Sequence, residues 1–84
     1  MATDVVYLIE WYDAAAKESW QERSVAAEST LLRCFTTGIL ISQDKRCAVV
    51  AQNWCYENDQ VSDVSTIPTA SIIKRTRIAR VKRS

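Results

Sequence analysis

The chain contains no histidine, the side chain that most often moves protons near neutral pH. Serine and threonine are plentiful, yet no base stands out to activate one as a nucleophile. A non-catalytic protein is the expectation. Cysteine is sparse: Cys34, Cys47 and Cys55 are odd in number and show no C-x-x-C spacing. Without histidine, a tetrahedral zinc site would need a carboxylate ligand, which is unusual in structural sites. No metal or other cofactor is therefore expected, and the thiols read as reduced core residues. Glycine and proline occur once each, at Gly38 and Pro68. No apolar run approaches the roughly 20 residues of a membrane-spanning helix. The opening MATDVVYLIEW has no basic segment and carries Asp4 and Glu10, so a secretory leader is not expected. A cytosolic location follows from these absences.

What is present is 84 residues, 48% of them hydrophobic, with three tryptophans. That composition argues against disorder and for one domain spanning 1–84. A chain of this length buries only about 60–65% of its unfolded surface. Oligomerisation is a common remedy, and a homo-oligomer is expected.

The most informative stretch is FTTGILISQDKRCAVVAQNW, from Phe35 to Trp54. Phe35, Thr37, Ile39 and Ile41 share one parity, and Cys47, Val49 and Ala51 share one on the return. The opposite parity holds Leu40, Ala48, Val50 and Trp54, so both faces of this hairpin need cover. Gln43-Asp44-Lys45-Arg46 reads as its polar tip. Gly38, inside the first strand, marks either a bulge or bend, or a bulky neighbour opposite it.

Asp4–Tyr12 reads as a first strand, rich in valine, isoleucine and aromatics. Next comes DAAAKESWQERSVAAES, which has helical composition. Asp13 could cap one long helix, or Ser19 with Glu22 could box a shorter one starting at Trp20. Either places some helix inside 14–28, with Ala16, Trp20, Ala27 and Leu31 on one face. Val61–Ile67 is a short strand, Pro68-Thr69-Ala70 breaks its ladder, and Ser71–Val81 is the last strand. The order β-α-β-β-β-β suits a mainly β protein, a small curled barrel of about five antiparallel strands with one short helix after the first.

Charge is uneven. Residues 1–73 hold five basic and ten acidic side chains, a net of −5, whereas the last eleven hold six basic ones and no acid. The basic end, 79–84, is expected to fray.

The order of features resembles a set of short phage and prophage proteins of unknown function. The matching pieces are Trp11-Tyr12-Asp13, Trp20, the GILIS…CAVVAQNW hairpin and TIPTASIIKRTRI. The charged tail beyond Ile78 departs from that pattern. The resemblance implies an SH3-like or Sm-like barrel and supplies no activity. A phage origin would imply host interaction, including interference with host defence, in the host cytosol.

Two binding functions follow. Trp54, Tyr56, Arg75 and Arg77 could form a partner-binding surface that blocks or sequesters a host factor, either a protein or a small anionic nucleotide signal. Alternatively, Lys74, Arg75, Arg77, Arg80, Lys82 and Arg83 could hold phosphates of single-stranded nucleic acid, with Trp54 and Tyr56 as stacking platforms. The plain alternative is a charged edge strand that resists aggregation. Trp11 and Trp20 are expected in the core and Trp54 partly exposed. Glu57, Asp59 and Asp63 read as a solvated acidic loop.

Overall fold

In the computed structural model, which describes residues 3–14 and 20–82, the alternating segments form strands where the apolar parity requires them. They are β1 (Thr3–Asp13), β2 (Leu32–Gln43), β3 (Cys47–Cys55), β4 (Gln60–Pro68) and β5 (Ile72–Lys82). All pair antiparallel in one sheet of order β4-β3-β2-β1-β5. A 3-10 turn, Thr69–Ser71, takes up the chain after Pro68.

That order forces the sheet to roll. In a flat sheet its two edge strands would lie about 19 Å apart. Yet β4 and β5 are joined by the 3-10 turn alone, and the step from Pro68 to Ile72 reaches at most about 14 Å. The turn is strapped to the β2–β3 tip: the Thr69 amide donates to the Arg46 carbonyl at 3.0 Å, and the Thr69 hydroxyl to the Asp44 carbonyl at 2.9 Å. Arg75 on β5 also donates to the Gln43 side chain near that tip. The five antiparallel strands expected are present in one sheet. No ladder joins β4 to β5 among the described residues, so the sheet is open along its length.

Directly opposed residues of antiparallel strands project to one face. The inner face holds a core of Ile9, Val50 and Ile67, each wholly buried, with Tyr7, Trp11, Leu40 and Ile72 packed against it. The Trp11 indole donates to Thr36 Oγ1 at 3.0 Å, which allows its polar edge to sit there. The outer face carries a row crossing all five strands: Val64, Ala51, Ile39, Val6 and Ala79. Every member is apolar.

Gly38 is explained by close approach. A Cβ there would lie 2.4 Å from the Ala51 carbonyl oxygen and 2.7 Å from Val50 Cγ1. The irregularity in β2 falls instead at Ile41, which the β2–β3 ladder skips. The β1–β5 ladder likewise skips Ile78 and Ile73.

The region between β1 and β2 corrects the helical expectation. Its only helix among the described residues is α1 (Arg23–Ala26), four residues with none buried. Asp13 is no cap but the last residue of β1, opposite Leu32. Helix α1 begins after Glu22, which makes no side-chain cap, so Trp20 lies outside it; Ala16 and Ser19 lie outside the described residues. Trp20 is fully exposed rather than in the core, and Leu31 is exposed too. Helical composition lowers the cost of a helix, but a short one persists only when a face is buried. Among the thiols, Cys34 and Cys47 are half-buried, while Cys55 is exposed and outside the core.

Candidate functional site

Among the described residues the backbone of β5 pairs with β1 alone, and every one after Ile72 is exposed. Its register sets Arg75 opposite Ile9, Arg77 opposite Tyr7, Arg80 opposite Val5 and Lys82 opposite Thr3. These β1 positions alternate on the inner face, so all four cations share that face. Strict alternation would have split them, with Arg75 and Arg77 on one side and Arg80 and Lys82 on the other. The skipped Ile78 corrects the phase. Successive members lie about 6.7 Å apart along the strand. No carboxylate stands opposite any of the four. Lys74, opposite Glu10, belongs to the outer face, and Arg83 lies outside the described residues.

The aromatic candidates sit elsewhere. Trp54, half-buried at the end of β3, meets Tyr56 edge-on, with centroids 5.6 Å apart and planes at 68°. Its indole donates to Asp59 Oδ1 at 2.8 Å. Asp59, and Asp63 within β4, both have φ of 53°, a left-handed conformation that aspartate tolerates better than most residues. The Asn53 amide donates to Asp63 Oδ2 at 2.6 Å. These two carboxylates of the acidic loop thus shape the β3–β4 turn. Trp54 and Asp59 also wall a half-open pocket of about 290 Å³ with Asp4, Ile39, Leu40, Ile41 and Val61.

The structure thus gathers Arg75, Arg77, Arg80 and Lys82, and separately Trp54 with Tyr56. In sheet order, β2 and β1 lie between β3 and β5. Tyr7, beside Arg77 on the inner face, was not anticipated. Its parity with Ile9 was readable; its pairing with β5 was not.

Two groups have displaced titrations. The Cys47 and Arg46 amides donate to Asp44 Oδ1 at 2.9 and 2.7 Å and hold its carboxyl below the usual aspartate range. The Glu10 carboxylate raises the Arg33 guanidinium, which donates to it through Nε at 2.9 Å.

No protein-family model matches the chain, and no curated protein or solved structure matches it either. No helix among the described residues is long and apolar enough to cross a membrane.

Proposed function

We propose that this protein is a non-catalytic binding module that holds the phosphate backbone of single-stranded nucleic acid along β5. The carrying observation is the one-sided row Arg75, Arg77, Arg80 and Lys82. Guanidinium groups grip phosphate oxygens bidentately, and an extended row of cations tracks an extended polyanion. On β1 one carboxylate, Asp13, shares the inner-face parity of the row, four positions beyond Ile9 and without a β5 partner. Asp4 and Glu10 fall on the outer face, and Asp44 and Asp59 fall in turns. Tyr7, half-buried opposite Arg77, adds an aromatic side chain beside the row. We read the rolled sheet as a small barrel of SH3-like or Sm-like type, with β5 at its rim.

Sequestration of a small nucleotide signal has less support. The half-open pocket is walled by Asp4 and Asp59, with no cation among its described lining residues.

The test is fluorescence anisotropy of a labelled oligothymidylate. Replacing Arg77 and Arg80 together by glutamine weakens binding about tenfold or more, whereas Lys74→Gln, on the other face, changes it less than about twofold. Equal losses from both variants, or no binding by the intact chain at low salt, overturn the proposal.

A further inference from the structure

The chain exposes more surface than a molecule of its mass should. Its accessible area is 6602 Å², whereas a compact monomer of 9.5 kDa exposes about 5,000 Å². Its radius of gyration is 16.3 Å, against about 12 Å for a compact domain of this length. The excess of about 1,500 Å² exceeds the roughly 800 Å² that each partner buries in a standard interface. The arm beyond Trp11 and Cys34, where the β1–β2 ribbon has no third strand, exposes Tyr12, Leu31 and Leu32. Next to that arm, and opposite Glu10, Phe35 is 59% exposed on the outer face, with the Arg33 guanidinium 5.5 Å over its ring.

We infer that a second copy of this chain covers the outer face, related by a twofold axis passing near Thr37. On β2 the outer-face residues run Phe35, Thr37, Ile39, and Phe35 and Ile39 lie about 13 Å apart, equidistant from Thr37. Rotation about that axis seats Phe35 of each copy against Ile39 of the other, the reciprocal pattern of an isologous dimer. Ile39 is part of the half-open pocket, whose other walls include Ile41, Val61 and Trp54. An aromatic ring suits that lining. A cover required for the stability of so small a core must be present whenever the chain folds, and a second copy satisfies that condition. The dimer leaves the inner-face cations of β5 outside the interface, so it stands independently of the proposed function.

Sedimentation equilibrium of the purified protein tests this. The expected result is a dimer whose dissociation constant rises about 100-fold or more in Phe35→Asp, with the circular dichroism of the variant unchanged. A second measurement does not depend on that variant folding. Thr37→Cys, in a background with Cys34, Cys47 and Cys55 changed to serine, should be joined to its partner by a bis-maleimide spanning the ~10 Å between face-packed sheets. A monomer at all concentrations, as a face reserved for a different protein would give, overturns the inference. So does a dimer indifferent to Phe35→Asp that fails to cross-link through position 37.

Discussion

One ribbon of two strands passes through two environments. From Val5 to Ile9 and from Gly38 to Leu40, β1 and β2 are flanked by β5 and β3, and their inner residues meet Val50 and Ile67. At Tyr12, Asp13, Leu32 and Arg33 the same strands have only each other, and the helical turn between them buries nothing. Hydrogen bonding within the ribbon is continuous across both parts. What differs is apolar burial, so stability should concentrate in the flanked part and fall toward the arm.

Substitutions should follow that gradient. Val50→Ala is expected to remove about 2–4 kcal/mol, read as a lowered midpoint in a chemical denaturation series. Gly38→Ala comes next, at about 1–3 kcal/mol, because its Cβ would meet backbone at Ala51 rather than a side chain that can swing away. Val25→Ser in α1 should change stability by no more than about 0.5 kcal/mol in dilute solution. A loss above about 1 kcal/mol there would show that the arm is packed against something.

The smallest effect concerns the strap at the β2–β3 tip. The Asp44 carboxyl is held below its usual range, so its stabilisation is full above about pH 3.9 and is lost as the pH falls through the depressed value. Asp44→Ala should therefore be less stable than the parent at pH 7 and equal to it in strong acid. A gap that persists unchanged at the lowest pH would assign the effect to something other than the carboxylate.

The flanked part was largely legible in the sequence. The parity of Phe35–Ile41 and Cys47–Ala51, the charged tip and the Pro68 break lead to the strands seen. Periodicity identifies a strand but not its neighbour, so the β1–β5 register was hidden. The Ile78 irregularity was hidden as well, since isoleucine fits any strand position and the only glycine is occupied elsewhere. The parity of Arg75 and Arg77 was visible, whereas their alignment with Arg80 and Lys82 depends on that skipped residue. Trp20 misled because a tryptophan in helical composition implies a buried face, and the chain alone provides none.

The central claim is that four cations on one face of β5 hold a single strand of nucleic acid. Its most direct test is the salt dependence of oligothymidylate affinity. Each neutralised phosphate contributes about −0.7 to the slope of log affinity against log salt, so four contacts predict about −3. Arg77→Gln combined with Arg80→Gln should reduce this to about −1.5. A slope near zero for the intact chain, or one unchanged by the double substitution, would contradict the account.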